Sequence, residues 1–160
     1  LEVLMEDWGV STERQGAEVL IRSRGIPERS FSYDFNDTPD LAQAFAVMAA
    51  VSKRRLTLRG LSTLKDKETN RLLALKTELE RAGAEIVIGD DSLDVVQGVD
   101  VKKVPQEKFR TYHDHRMVMA LSLLSIGAEG LSLLQPGHVT KSFPSYFAVL
   151  KEAGFLVEER

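Results

Sequence analysis

The sequence repeats one pattern three times: a helix that ends in glycine and is followed by a short strand. The glycines are Gly9, Gly83 and Gly154, at intervals of 74 and 71 residues. Before each glycine, apolar or aromatic residues recur at i, i+4 and i+7, the spacing of one helical face. A glycine directly after such a face is typical of the left-handed position that ends a helix. The predicted strands after the glycines cover residues 10–12, 84–88 and 155–158, and the first two turn into further strands at 17–21 and 93–96.

The residues upstream of these helices repeat as well. Asp40 and Asp114, again 74 residues apart, each open an apolar helix, and each helix leads to a short alternating strand, at 56–58 and 131–133. A full unit therefore has the order βαβαββ, and such a unit needs neighbours to bury its apolar faces. We predict a mixed α/β (α+β) fold in which parallel and antiparallel strand pairs occur together, with the helices packed inward and the sheets outside.

The repeat also predicts the domain organisation. A partial unit covers residues 1–30, and two further units follow at 31–99 and 100–160. Because the chain starts inside a helix pattern, at Leu1 rather than Met, we expect residues 1–160 to be a single-domain fragment of a longer protein.

Composition excludes several classes of function. The 21 Lys and Arg against 24 Asp and Glu give a net charge of −3, so no overall positive field attracts nucleic acid. The absence of cysteine excludes disulfides, thiolate metal ligands and a cysteine nucleophile. No apolar run approaches the ~18 residues of a membrane span, and the first residues do not resemble a signal segment. We therefore predict a cytoplasmic protein without membrane or nucleic-acid partners, in which any anion site is local.

The informative charges gather where the predicted helices begin. Residues 38–40 and 114–116 open the two apolar helices, while residues 65–71 and 141–144 open the helices that follow. Helix N-termini present unpaired N–H groups and a partial positive charge, so a group of them beside basic side chains would bind phosphate or carboxylate. The basic residues at these starts are Lys67, Arg71, Arg116 and Lys141.

Simpler interpretations of the same residues stay open. The two aspartates suit a first helical turn through the helix dipole alone. Lys67 and Arg71 are consistent with a solvated helix start, although their i, i+4 repulsion mildly favours a bound anion. His113 and His115 have no third ligand nearby in the sequence, so we predict no metal site there.

Four segments resemble the EPSP synthases, the 3-phosphoshikimate 1-carboxyvinyltransferases. Residues 67–72 (KETNRL), 112–117 (YHDHRM) and 140–147 (TKSFPSYF) are similar to three motifs of that family, and residues 38–40 (TPD) are similar to one of its helix starts. The resemblance spans essentially the whole chain and implies that the chain forms part of the second of two domains. That domain is an inside-out α/β barrel of repeated units, incomplete here, and the missing N-terminal domain would be the partner that completes the substrate cleft.

The resemblance implies a role for each site residue. Asp40 would accept the proton of the 5-hydroxyl of shikimate 3-phosphate, and Glu68 would protonate the methylene of phosphoenolpyruvate. Lys67 would contact the 3-phosphate, and Asp40 would lie next to that phosphate. At Thr63 some members of the family have Asn, which is a further contact to the phosphate. No metal or organic cofactor is implied. The phosphoenolpyruvate ligands would be Arg71, Arg116 and Lys141.

The chemistry explains why these residue types would be needed. Protonation of an enol ether carbon creates a cationic centre that the hydroxyl attacks, so an acid and a base must stand on opposite sides of a short gap. Guanidinium and ammonium groups would hold the phosphate and carboxylate charges. An acid of this kind would benefit from a raised pKa, which Lys67 and Arg71 beside Glu68 oppose.

Three other functions compete with this one. A UDP-N-acetylglucosamine enolpyruvyl transferase shares the mechanism, but the motifs at 67–72 and 114–117 fit it less well. An anion-binding module similar to the RNA 3′-phosphate cyclases shares the repeat fold, although the net negative charge and the lack of aromatics in a basic stripe argue against it. A purely structural repeat domain would use none of the charged residues for binding.

Overall fold

Two compact units make up the chain, Leu1–Ser30 and the residues from Phe31 onward, which we call the N-terminal unit and the main body. The structure, a computed structural model, describes residues 1–158. The helices are Glu2–Asp7 (α1), Ala42–Ser52 (α2), Arg71–Arg81 (α3), His115–Ser122 (α4) and Tyr146–Glu152 (α5). The strands are Val10–Gln15 (β1), Glu18–Ser23 (β2), Phe31–Asp34 (β3), Leu56–Arg59 (β4), Glu85–Ile88 (β5), Leu93–Gln97 (β6), Lys108–Arg110 (β7) and Ser132–Leu134 (β8).

The N-terminal unit is a short helix followed by a hairpin. Helix α1 ends before Gly9, and β1 pairs antiparallel with β2. Gly16 has φ 64° in the two-residue turn that joins the strands, a conformation that suits glycine. The predicted helix end and both predicted strands of this unit are confirmed.

A mixed four-stranded sheet forms one layer of the main body, in the order β3-β4-β6-β5. Strands β3 and β4 are parallel, while β6 runs antiparallel to both of its neighbours. The alternation along β4 and β6 buries Leu56, Leu58, Leu93 and Val95. The sequence prediction that parallel and antiparallel pairs occur together is confirmed.

Helix α2 is buried on nearly all sides and is rich in alanine. Ala42, Ala46, Ala49 and Ala50 are fully buried, and such small side chains let neighbouring elements approach closely. The helix packs against α3, α4 and two strands of the sheet. Helix α3 is amphipathic instead and turns a leucine stripe inward.

The second half of the main body repeats the first. Strands β7 and β8 are parallel, as β3 and β4 are, and α4 lies between them in the chain as α2 does between β3 and β4. Helix α5 then follows β8 as α3 follows β4. The mixed α/β fold with a repeated βαβα order is therefore confirmed.

One predicted strand is wrong. Residues 155–158 form no strand in the structure. Their counterpart β5 is held by hairpin pairing with β6, and no equivalent strand follows Phe155 in the described part of the chain. A strand needs a partner for its backbone hydrogen bonds, which the residue pattern alone does not supply.

Two predicted helix starts also differ from the structure. A 3₁₀ turn covers Ser62–Asp66, and α3 begins only at Arg71 because the Asn70 side chain caps it by accepting a hydrogen bond from Leu73 N–H at 3.1 Å. Similarly, a 3₁₀ turn covers Pro136–Lys141, and α5 begins at Tyr146. Lys67, Glu68 and Lys141 therefore lie in the segments that precede helices. None of the helices over residues 1–158 is long and apolar enough to cross a membrane.

Candidate active site

Arg71 lies at the centre of a cluster of charges in the main body. Its side chain is only 2% exposed. The guanidinium donates to Asp114 Oδ2 at 2.6 Å, to Asp40 Oδ1 at 2.7 Å and to Glu68 Oε2 at 2.7 Å. A guanidinium carries five N–H donors in a rigid fork, so one side chain can hold three carboxylates at once. Arg71 thereby joins three segments that are far apart in the sequence.

Asp114 is the innermost of the three carboxylates and has no exposed surface. It also caps α4, because its Oδ1 accepts a hydrogen bond from the Arg116 backbone N–H at 2.8 Å. The residues just before it, Tyr112 and His113, both have φ 55°. Two consecutive left-handed non-glycine residues are costly. The surrounding contacts therefore hold this loop in one conformation, which fixes where Asp114 points.

Asp40 lies between two guanidinium groups. It belongs to the 3₁₀ turn Pro39–Leu41 that leads into α2. Its Oδ1 accepts from Arg71, and its Oδ2 lies 3.0 Å from Arg116 NH2. The Asp40 and Arg116 side chains are each about one-third exposed. Unlike Asp114, this carboxylate is within reach of a ligand.

Glu68 is bound by a cation at each carboxylate oxygen. Lys141 Nζ donates to Oε1 at 2.7 Å, and Arg71 donates to Oε2. The Lys141 hydrogen bond, the Glu68 backbone N–H and the charge of Arg71 together lower the pKa of Glu68 from 4.5 to about 2. Lys141 rather than Lys67 is therefore the main cause of the lowered pKa.

Lys67 and Thr63 are exposed and stand apart from the Arg71 cluster. Within the described residues, Lys67 forms no hydrogen bond or ion pair. Five of the six residues that the sequence analysis singled out are joined by direct contacts in the structure, and Lys67 is their neighbour in the chain only.

Sequence reasoning gave no role in this site to three of its buried polar residues, Asp114, His115 and Gln43. His115 is buried, and its Nδ1 has no hydrogen-bond partner but lies 4.0 Å from both Glu68 Oε1 and Asp114 Oδ1. Gln43 is buried on α2, beside Asp40. A single amide in an alanine-rich helix is a signal that could have identified Gln43. His115 gave no such signal, because it stands among polar residues.

The three histidines do not lie together at one site. His115 faces the carboxylates, whereas His113 Nδ1 lies 2.8 Å from His138 Nε2 in an exposed pair. His138 lies exposed in the 3₁₀ turn before α5.

The cluster joins three carboxylates to three cations. Two of the carboxylates, Asp40 and Glu68, are partly accessible, and so are two of the cations, Arg116 and Lys141. An open cavity of about 400 Å³ lies beside Lys141. This arrangement can bind anionic groups and can offer carboxylates for proton transfer on either side of Arg71.

A match to a family model identifies the protein family to which the chain belongs. Residues 1–150 match the model of EPSP synthase (3-phosphoshikimate 1-carboxyvinyltransferase). The chain belongs to the EPSP synthase family. A 3-phosphoshikimate 1-carboxyvinyltransferase of Bacteroides fragilis is 36% identical over 147 residues, which cover 92% of this chain and 36% of that protein. One from Buchnera aphidicola is 32% identical over 144 residues, 90% of this chain and 32% of its own length.

Solved structures have the same fold. An EPSP synthase from Acinetobacter baumannii superposes with a TM-score of 0.76 at 20% identity, covering 98% of this chain and 39% of that one. The enolpyruvyl transferase NikO from Streptomyces tendae superposes with a TM-score of 0.67 at 19% identity, covering 95% and 34%. This chain thus spans about a third of the length of the curated EPSP synthases that it matches.

Proposed function

We propose that this chain supplies part of the active site of a 3-phosphoshikimate 1-carboxyvinyltransferase. That enzyme would transfer the enolpyruvyl group of phosphoenolpyruvate to the 5-hydroxyl of shikimate 3-phosphate and release phosphate, a step of aromatic amino-acid biosynthesis. The observation that carries the proposal is the gathering of Asp40 and Glu68 around Arg71, with Arg116 and Lys141 at its accessible edge. The family match supports the choice of reaction.

Asp40 and Glu68 would move the protons. Glu68 would give a proton to the methylene carbon of phosphoenolpyruvate while Asp40 takes the proton of the attacking hydroxyl. The resulting tetrahedral adduct then loses phosphate and a proton, which restores the enolpyruvyl double bond. Both carboxylates contact Arg71, so this side chain fixes the distance between the acid and the base.

The cations would hold the substrate charges. Arg116 and Lys141 are the accessible ones and would meet the phosphate and carboxylate of phosphoenolpyruvate first. Arg71 is almost completely buried and holds three carboxylates, so its contact with substrate would require these side chains to rearrange. Lys67 is exposed and would meet the phosphate of shikimate 3-phosphate.

The chain would be inactive by itself. The relatives are about three times as long, so the remaining part of the cleft would come from an N-terminal portion outside these 160 residues. The proposed partners are thus that portion and the two small anionic substrates. A cytoplasmic location stays a prediction from composition.

Complementation tests this proposal. The chain is mixed with a separately produced N-terminal portion of the Bacteroides fragilis relative, and phosphate release from phosphoenolpyruvate is followed with shikimate 3-phosphate as acceptor. We expect turnover by the mixture and none by either part. Glu68→Gln and Asp40→Asn should each reduce the rate at least about 100-fold, while Glu80→Gln on the exposed side of α3 should not.

The same assay separates the competing functions. Turnover with UDP-N-acetylglucosamine but not with shikimate 3-phosphate would contradict the proposed acceptor. Salt-dependent binding of a short RNA with a 3′-phosphate, without any turnover, would favour a cyclase-like module instead. Full activity of the chain without its N-terminal portion would contradict its incompleteness.

A further inference from the structure

Both oxygens of the Glu68 carboxylate are engaged, but the two cations that bind them differ in accessibility. Arg71 is 2% exposed and also holds Asp40 and Asp114. Lys141 is 64% exposed and has Glu68 as its ion-pair partner among the described residues. An anion that arrives from solvent can therefore reach Lys141 at once, whereas Arg71 is shielded.

Over the described residues, Lys141 is the one member of its segment that forms an ion pair with these carboxylates. It ends the 3₁₀ turn Pro136–Lys141, beside the open cavity of about 400 Å³ that Gln135, Gly137, His138 and Thr140 also line. A lysine ammonium is a point charge on a flexible stem and changes partners at low cost. The position of Lys141 therefore suits an exchange between the Glu68 carboxylate and an oxyanion of a ligand.

We propose that Lys141 opposes protonation of Glu68 in the ligand-free protein, and that an oxyanion of the substrate, by taking Lys141, makes Glu68 easier to protonate and so better able to act as the acid. This inference rests on the proposed function, because it concerns how the acid of that reaction becomes protonated. Lys141 acts here through Glu68, in addition to any contact that it makes with the substrate.

The proton balance is simple. When Lys141 turns to the oxyanion, Glu68 Oε1 loses its strongest donor and gains a negative neighbour. Both changes favour uptake of a proton from solvent at Oε1. In the reaction, the O–H bond of Glu68 breaks, the π electron pair of the substrate forms the new C–H bond, and Glu68 returns to a carboxylate that Lys141 can bind again.

The charged groups around Glu68 support this order of events. Of the interactions that lower the pKa of Glu68, the hydrogen bond from Lys141 is the largest, and the charge of Arg71 contributes less. Among the described residues, His115 on α4 also faces Glu68, and its Nδ1 lies 4.0 Å away, beyond hydrogen-bond distance. Removal of Lys141 should therefore change the titration of Glu68 more than any other single substitution of a solvent-exposed residue.

The test measures the side-chain carboxyl carbon of Glu68 by ¹³C NMR between about pH 7 and pH 3, with Glu68→Gln used to assign the signal. In the unsubstituted chain, Glu68 should stay ionised throughout this range. Lys141→Gln should raise its titration midpoint by about 1–2 units, into the range. Lys151→Gln removes the same charge from the exposed face of α5 and should leave the Glu68 signal unchanged.

The second arm adds inorganic phosphate to the unsubstituted chain. Phosphate should shift the Lys141 Nζ signal and raise the Glu68 midpoint together. Two outcomes would overturn the inference: a Glu68 midpoint that Lys141→Gln does not move, or phosphate that shifts the Lys141 signal but leaves the Glu68 midpoint unchanged. Failure of phosphate to reach Lys141 at all would also count against it. None of these results depends on turnover, so the complementation assay can succeed where this inference fails.

Discussion

Arg71 Nε and Asp114 Oδ2 lie 2.6 Å apart in an ion pair that is almost completely buried. The pair joins the first residue of α3 to the cap of α4. A buried ion pair offsets its desolvation cost only when its other hydrogen-bonding groups are also satisfied. Asp40, Glu68 and the Arg116 backbone N–H meet that requirement. The candidate acid and base are thus bound to the same guanidinium that holds the two helices together.

Loss of the Asp114 carboxylate should therefore destabilise the fold strongly. Asp114→Ala leaves Arg71 buried with one partner fewer and removes a helix cap, so we expect a loss of about 3–5 kcal/mol in the free energy of unfolding. Asp100 is a half-exposed cap of the 3₁₀ turn Val101–Lys103, and Asp100→Ala should cost much less because no buried charge loses a partner. Urea unfolding of both variants checks this, and equal losses would contradict it.

Acid should weaken the fold partly through Glu68. Its pKa is about 2 in the folded chain and 4.5 as the unperturbed value. A lowered pKa stabilises the folded state above pH 4.5, and that contribution disappears as the pH falls from there towards 2. The free energy of unfolding should therefore fall less steeply in Glu68→Gln than in the unsubstituted chain between about pH 5 and pH 3. Parallel curves would show that Glu68 is not held by its cations in solution.

Glu78 should be a stabilising residue even though it lies far from the ligand-accessible edge. It is fully buried and accepts hydrogen bonds from the Tyr112 hydroxyl at 2.8 Å and from Arg81 at 2.6 Å. Burial and the contact with Glu78 raise the pKa of Tyr112 to about 12, so this hydroxyl remains a donor throughout the neutral range. Glu78→Gln should cost about 2 kcal/mol or more.

Glu80 provides the matched control for this prediction. It lies two residues further along α3 and forms an exposed pair with Lys76. Glu80→Gln should change the free energy of unfolding by about 0.5 kcal/mol or less. Thermal or urea unfolding measures both variants, and a similar small loss for Glu78→Gln would argue against a structural role of the Tyr112 contact.

Gly60 should not tolerate a side chain. Its φ is 73°, and a Cβ there would lie 2.4 Å from the Asn36 backbone N. Gly60→Ala combines left-handed strain with a clash against backbone and should cost about 2 kcal/mol or more. Gly137 has no atom within 4 Å of such a Cβ, so Gly137→Ala should leave stability nearly unchanged. Circular dichroism melts of the two variants distinguish these expectations.

Much of the fold follows from local sequence signals. The helix ends before Gly9, Gly83 and Gly154 depend on a periodic apolar face and one glycine, all within a dozen residues. The 74-residue repeat then predicts the βαβα order that the two halves of the main body share, because two copies of one unit fold alike. The sequence was less reliable where a second segment decides the outcome, as at residues 155–158, which have the residue pattern of a strand but no partner strand in the described chain.

In the candidate site, too, the sequence predicts local features, whereas the partners of each side chain depend on distant segments. The sequence alone determined which residues carry the charge and that they precede or begin helices, because motifs and caps are local features. Only the tertiary structure decided their partners: Arg71 with Asp40, 31 residues away, Arg71 with Asp114, 43 residues away, and Glu68 with Lys141, 73 residues away. In the sequence both Lys67 and Arg71 stand beside Glu68, and Arg71 is the one that contacts it. An ion pair depends on distance in space, which the packing of α2, α3 and α4 fixes.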